Sequence, residues 1–387
     1  MHVAVVGGGI VGTASAYELA ARGADVTLFE RGSLGAGSTD RALGGIRAQF
    51  STRVNVALSI ASIAVWDDFE ERFGVDIDRR RTGYLFLTRD DDTADAFADQ
   101  VAMQHEHGVP SRLVDLEEAA EVCSGLRPEE FVAGTYCPAD SFADPHLALQ
   151  GYARAARDEG VDIRTNTPVA GLDPRESGVR VRLAGRGDAA TPLTVDAAVN
   201  AAGAWAPRLA EAAGYDLPIV PHRRQTAVVE PERPVPESDP LVIDADTTAH
   251  FRPERDGRAL VGGHFAETDP VVSDPDRFSE TPDTDWAVEA VERVGDLADY
   301  FGPESRLAGG WAGLYAVTPD HHAIVEESVP GVVTAAGFSG HGFQHAPATA
   351  KVVSELVLDG EASTVDVSGL DSGRFDRGDE RVERNVA

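Results

Sequence analysis

Lysine is nearly missing from this 387-residue chain: Lys351 is the one lysine among 34 basic residues, and the rest are arginine. Positive charge is scarce altogether, because 65 Asp and Glu leave a formal net charge of -31. So acidic a surface repels phosphate backbones and anionic headgroups, which makes nucleic acid and membrane surfaces poor partners. It reads best as adaptation to high salt, where screening relieves the self-repulsion, with an ordinary acidic protein as the plainer alternative. Cysteine is as scarce. Cys123 and Cys137 form no CxxC pair, so neither a disulfide framework nor a thiolate metal site is indicated. His105 with His107, and His321 with His322, lack further ligands at metal spacing, and no metal is expected. No apolar run is long enough to span a bilayer. The chain enters a strand at once, leaving no room for a signal peptide. These absences point to the cytoplasm. The length suffices for a large core and for two domains.

What is present begins at the first residues. His2–Val6 is a short apolar run, followed by Gly7-Gly8-Gly9-Ile10-Val11-Gly12, a helical stretch to Arg22, a second run Asp25–Phe29, and Glu30. Strand, glycine turn, helix, strand and acid make a dinucleotide-binding βαβ unit. Gly7 permits the tight turn, Gly9 lets backbone approach a pyrophosphate, and Gly12 lets the helix lie against the strand. The helix N-terminus offers free N–H groups to phosphates, and Glu30 stands where a carboxylate can accept from ribose hydroxyls. A unit that binds nothing explains Gly12 but not Gly9 and Glu30 together.

Further along, residues 53–73 predict one helix, with Val56, Ile60, Ile63 and Phe69 near one face and Gly74 as its stop. Helices are expected over 93–107, 117–122, 145–159 and 285–300, and strands over 83–88, 131–136, 162–165 and 178–183. Residues 195–201 are a nearly continuous apolar strand, followed by Ala202-Gly203-Ala204-Trp205 and a helix to Ala213. Val332–Ala336, residues 337–342 and a helix to Leu358 make a third strand–glycine–helix unit. Residues 219–263 look β-rich, with a turn at Asp256-Gly257. Proline-rich stretches over 231–240 and 270–282 are loops. The acidic, polar stretch from Gly360 reads as a poorly ordered tail.

The glycine units and their companions resemble the D-amino-acid oxidase superfamily, within it the sarcosine oxidase and glycine oxidase branch. The matching stretches are residues 5–12 with Glu30, Gly45-Ile46-Arg47, residues 200–205, Trp311-Ala312-Gly313-Leu314-Tyr315 with Thr318-Pro319-Asp320, and residues 336–343. They follow the family's order over almost the whole chain. The GGIRAQF stretch also looks like the beta-subunit-like and FOXRED-like members. The resemblance implies FAD rather than NAD, and an α/β (α+β) fold. A Rossmann-like, discontinuous FAD-binding domain would take residues 1–80, 145–215 and 305–360. A substrate domain with a mixed, largely antiparallel sheet would take 81–144 and 216–304, with 361–387 as the acidic tail. It further implies cofactor contacts from Gly7, Gly9, Ile10, Val11, Gly12, Glu30, Arg31, Ser38, Thr39, Gly44, Gly45, Val169, Ala202, Gly203, Trp205, Gly313, Gly337, Gly340, His341, Gly342, Phe343 and Gln344.

Three positions depart from the family. Members with covalently held flavin carry a cysteine where this chain has Gly313, so FAD here is expected to be non-covalent. A lysine that speeds reaction with oxygen aligns with Leu260, and a lysine that binds the substrate carboxylate aligns with Gln344. The catalytic candidates are Arg47, His264, Tyr315 and Gln344. A guanidinium can hold an amino-acid carboxylate in a two-bond fork, though a surface arginine is the plainer reading of Arg47. His264 can exchange a proton near neutrality, and the Tyr315 hydroxyl can hydrogen-bond a carboxylate or water. For each of these the alternative is a satisfied buried polar residue. His250 and Arg252 are weaker candidates. The expected reaction is oxidation of the C–N bond of an amino acid or secondary amine, with hydride passing to flavin N5 and the imine hydrolysing in water. The alternative is a flavoprotein subunit or assembly factor without small-substrate turnover. The electron acceptor, any partner subunit and the oligomeric state are left open.

Overall fold

The computed structural model describes residues 1–185, 191–265, 271–272 and 274–386. Strand β1 (His2–Val6) and strand β2 (Asp25–Phe29) run parallel, joined by helix α1 (Ile10–Ala21). Gly7 takes φ +116 at the turn, and a Cβ there would lie 2.3 Å from the Ala201 carbonyl oxygen. A Cβ on Gly12 would lie 2.0 Å from the Gly7 carbonyl oxygen, so the helix can approach the strand only with glycine at that point.

β1 is central in a six-stranded sheet ordered Ile324–Val329, Val332–Ala336, Ala197–Asn200, β1, β2, Asp162–Arg164. All neighbours are parallel except the edge strand Ile324–Val329. Both faces are covered, as a parallel sheet requires. Val3 and Val5 pack with Ala16, Leu19 and Val353 from the helical side. The alternate residues Ala4 and Val6 pack with Leu172, Val179 and Val181. These three belong to a three-stranded antiparallel sheet formed by Val169–Arg175, Gly178–Leu183 and Leu193–Val195.

The second large sheet has eight strands in the order Arg306–Val317, Val220–Glu230, Ala259–Gly262, His250–Pro253, Leu241–Asp244, Tyr84–Thr88, Ala133–Cys137, Arg112–Val114. One neighbour pair, Leu241–Asp244 with Tyr84–Thr88, is parallel, and the others are antiparallel. Period-two alternation assigns its faces. Leu85, Leu87, Val242, Phe251, Ala227 and Val229 enter a core with Trp286, Val294 and Leu297 of helix Thr284–Leu297. Tyr84, Ile243, His250, Arg224 and Thr226 face the other way, towards a cavity shared with the six-stranded sheet. The chain thus leaves the first sheet after Phe29, returns for Asp162–Arg164, passes through the three-stranded sheet, rejoins for Ala197–Asn200 and returns last at Ile324.

Several expectations are corrected. Residues 53–73 are two helices, Arg53–Asp67 and Phe69–Phe73, broken at Asp68 (φ -100, ψ 12). Ile60 is 36% exposed, so it is not part of the apolar face. The strand Arg306–Val317, expected with the cofactor part, hydrogen-bonds along the strand Val220–Glu230 instead. The stretch after Gly360 is not disordered: Leu370, Arg374, Glu383 and Asn385 are buried. Its polar side chains find partners inside rather than apolar contacts, which composition does not reveal. Of the loop expected over 270–282, residues 270 and 273 lie outside the described residues. Among the described residues no helix is long and apolar enough to cross a membrane.

Candidate active site

The cavity between the two large sheets has a volume of about 690 Å³, within the range that holds a sizeable ligand. The four catalytic candidates and every expected cofactor contact line it except Gly12, which packs helix against strand behind it.

At one end lie the tip of β1 and the start of α1. The cap residue Gly9 has no side chain to bond this helix start and the first turn carries no acid, which suits a phosphate there. The Ile10 N–H donates to Thr39 Oγ1 at 3.1 Å, and a Cβ on Gly9 would meet nothing closer than that oxygen, at 3.2 Å. Glu30 follows β2, as expected, but both its oxygens already accept backbone bonds, from Gly8 N–H (2.8 Å) and Gly32 N–H (2.7 Å). Lone pairs remain on each for a ribose hydroxyl. Arg31 stacks over the Trp205 ring at 4.3 Å. Asp276 ties this rim together, accepting from Arg31 (2.5 Å), Trp205 Nε1 (2.9 Å) and Arg208 (2.5 Å). The bond from Arg208, joined by those from Arg31 and Trp205, holds the Asp276 carboxyl well below its usual range against the opposing effect of burial. The Gly313 position is crossed by the Arg41 side chain, whose Cβ would be 2.9 Å from an added Cβ.

The other end carries the catalytic candidates. Gly45–Ile46 pairs with Ser141–Phe142 and delivers Arg47 to the cavity wall. Asp140 Oδ1 accepts from Ala48 N–H (2.8 Å), and Asp140 Oδ2 from Gln49 Nε2 (3.0 Å). The Arg47 backbone N–H donates to Gln344 Oε1. Its guanidinium is buried, stacks on Phe50 at 3.9 Å, and donates to the carbonyls of Gln49 and Asn385. These are neutral acceptors. The acids that act on it, Glu383 and Asp140, are hydrogen-bonded elsewhere. Burial pulls the Arg47 pKa down and pushes Asp140 up to about 6, and a guanidinium stays charged regardless.

Also in the lining, the His264 and Tyr315 rings meet edge to face at 5.7 Å, and the Arg224 guanidinium lies 5.6 Å from the Tyr315 ring centre. Burial first, then Arg224, drive the His264 pKa well below its ordinary value, so the imidazole is neutral. His250 reaches the cavity. Arg252 does not, being stacked on Phe142 at 4.4 Å and paired with Glu254 at 3.3 Å. Leu260 also stays out of the lining. It pairs across the sheet with Arg252, while Gly262 pairs with His250 at the cavity edge. Sequence reasoning missed Arg41, Arg208, Arg224, Tyr84 and Val386, which all line the cavity. Strand alternation within residues 220–230 was the one signal for Arg224. None existed for Val386.

The family model described as DAO, FAD dependent oxidoreductase, matches residues 2–356. Mitochondrial dimethylglycine dehydrogenase of Rattus norvegicus is 27% identical over 401 residues, which cover 96% of this chain and 44% of that protein. The chain therefore spans under half the length of that relative. FAD-dependent oxidoreductase domain-containing protein 1 of Xenopus laevis is 30% identical over 430 residues, covering 99% of this chain and 84% of the relative. The crystal structure of L-proline dehydrogenase from P. horikoshii matches with a TM-score of 0.88 at 31% identity, over 98% of this chain and 99% of that one. The acid-free helix start, the glycines that open the cavity and the matched span agree: the chain belongs to the DAO family of FAD-dependent oxidoreductases.

Proposed function

We propose that the chain oxidises the C–N bond of a small amino acid or N-substituted amino acid. The observation that carries this reading is Arg47: a buried, cavity-lining guanidinium whose hydrogen-bond partners are neutral carbonyls. A buried cation with neutral partners favours an anion in the adjoining space, and a carboxylate fits the guanidinium fork. The relatives are consistent with this, since dimethylglycine and L-proline each carry an alkylated nitrogen beside a carboxylate.

Arg47 binds and orients the carboxylate, a positioning effect on the reacting carbon. FAD, when bound, supplies the acceptor for the hydride that leaves this carbon. The amine must be neutral for its lone pair to drive hydride loss, and neutral His264 offers an acceptor for an N–H on that side of the cavity. Tyr315 hydrogen-bonds the carboxylate or a water. The imine product hydrolyses in water. No lysine lines the cavity, so no compact ammonium stands ready to stabilise superoxide, and a dye or quinone is the better electron acceptor.

The test is anaerobic bleaching of the yellow protein with glycine, sarcosine, dimethylglycine and proline, each beside its counterpart lacking the carboxylate. Bleaching by an acid and not by its counterpart supports the reading. Arg47→Ala is expected to weaken binding of that acid by about 2–5 kcal/mol. Bleaching by none of the amines would favour a flavin-bearing subunit or assembly factor. Rapid, stoichiometric peroxide formation in air would overturn the acceptor assignment.

A further inference from the structure

The wall of the cavity beside Arg47 is built by residues from the far end of the sequence. Val386 lines the cavity, and the Asn385 carbonyl accepts from Arg47 Nη2. The Asn385 side chain donates to the Gln49 carbonyl (3.2 Å) and to Gln100 Oε1 (2.8 Å). Gln49 O is also an acceptor of the Arg47 guanidinium, so Asn385 supplies one of the two carbonyls that hold the guanidinium and is bonded to the other.

This segment is anchored, not loosely laid down. The Glu383 carboxylate is fully buried and accepts from Ser51 N–H (2.8 Å), Ser51 Oγ (2.6 Å), Thr52 Oγ1 (2.6 Å) and Asn55 Nδ2 (3.0 Å). Burial works to raise its pKa, and these donors outweigh that and keep it low. The segment's backbone is held from the other side. Glu383 N–H donates to the Asp320 carbonyl at 3.0 Å, and the imidazoles of His321 and His322 bond the carbonyls of Glu383 and Arg381 at 3.2 and 2.7 Å. Upstream, Arg374 grips Asp320 with two bonds (2.7 and 2.9 Å), both side chains being buried. A displaceable plug would not sink a carboxylate among four donors, because withdrawing it strands every one of them.

We propose that residues 381–386 are the fixed end wall of the substrate pocket, in which Asn385 positions the Arg47 guanidinium and Val386 sets the bulk of the acid that can reach it. This rests on the reading that Arg47 takes the substrate carboxylate. Asn385 is a positioning residue, since it acts through Arg47. Val386 touches the pocket directly. The occupant it selects is a compact carboxylate, with its substituents directed away from residue 386.

The test uses the full-length, FAD-loaded protein, with flavin absorbance shifts reporting binding of acetate, benzoate and neutral benzamide. Arg47→Ala is expected to abolish the response to both acids. If Arg47→Ala binds benzoate as the unmodified protein does, or the unmodified protein responds to neither acid, the Arg47 reading fails and the wall falls with it. With that reading intact, Asn385→Ala is expected to raise the benzoate Kd at least tenfold and leave the benzamide Kd within twofold. A general loss of structure would weaken both. Val386→Trp should raise the benzoate Kd at least tenfold with acetate within twofold, and Val386→Gly should shift benzoate the opposite way. If Asn385→Ala lowers the Tm, the two Val386 variants decide the matter. Arg47-dependent binding that ignores Val386, or acetate and benzoate that weaken alike, would overturn the wall alone.

Discussion

The backbone N–H of Arg47 donates to Gln344 Oε1 at 2.8 Å, joining two glycine-flanked motifs 297 residues apart in sequence. Gln344 is buried at the start of the helix Gly342–Leu358, and its own carbonyl accepts from Trp66 Nε1 at 2.9 Å. One side chain therefore sets the height of the arginine above the helix start. Gln344→Leu leaves the Arg47 N–H buried without an acceptor, which should cost about 1–3 kcal/mol in urea denaturation. Gln344→Glu restores the acceptor but sets a negative charge beside the guanidinium. It should regain stability and weaken benzoate binding at least tenfold. Equal benzoate affinity in Gln344→Glu would place Gln344 outside the carboxylate site.

The cofactor should come away from the chain without bond breaking. Gly313 has no nucleophile, and an added side chain there would collide with Arg41. The two free cysteines cannot substitute: Cys123 and Cys137 are buried, and burial pushes both thiols up, away from the reactive thiolate. Denaturation in acid followed by gel filtration is expected to give colourless protein and free FAD. Flavin that travels with the polypeptide would refute this.

Salt acts here in two directions. Surface pairs such as Arg22 with Asp359 (2.7 Å) and Arg208 with Asp274 (2.6 Å) weaken as salt screens them. Exposed pairs of this kind contribute about 0–1 kcal/mol each. Against them, 34 basic residues cannot neutralise 65 acids, and 31 negative charges are left to repel one another. Repulsion has the larger count, so the Tm should rise from low salt to molar potassium chloride. A flat or falling Tm would mean that the paired arginines dominate.

How much of this was legible in the sequence follows the range of the interactions. The βαβ unit was, because Gly7, Gly12 and β1 constrain one another within a few residues. The break at Asp68 was not, since Phe69 and Phe73 continue the apolar spacing across it while the backbone turns to pack them on Tyr152. Arg47 was legible as a candidate from its motif. Its partner carbonyl at Asn385 was not, because 338 residues separate the two and a backbone acceptor carries no residue signature. The tail was misread for the same reason. Glu383 looks like one more acid in an acidic stretch until Ser51, Thr52 and Asn55 are seen to receive it.

The buried histidine pair makes the chain's stability depend on pH. His341 Nε2 bonds the His321 carbonyl at 2.9 Å, so it carries the proton and leaves His341 Nδ1 as an acceptor. His345 Nδ1, 3.2 Å away, then donates to it, and His345 Nε2 accepts from the Ser59 hydroxyl at 2.9 Å. Each bond in this chain is satisfied only with both rings neutral; a second proton would set two N–H groups face to face. Burial is the main cause that lowers the His341 pKa to about 3 and drives His345 well below its ordinary value. In the unfolded chain both rings titrate near about 6.5. The unfolded state therefore binds more protons below that pH. The stability is fully present above about pH 6.5 and is lost as pH falls towards the folded value. Linkage gives about 2 kcal/mol per histidine between pH 7 and pH 5. Protonation of surface carboxylates opposes this loss, so the comparison must be internal. His345→Gln can still donate to His341 Nδ1 and accept from Ser59, but has no proton to take up on unfolding. In urea denaturation at constant high salt, its loss of stability from pH 7 to pH 5 should be smaller than that of the unmodified protein by about 2 kcal/mol. Equal losses in the two proteins would show that the pair is already charged when folded.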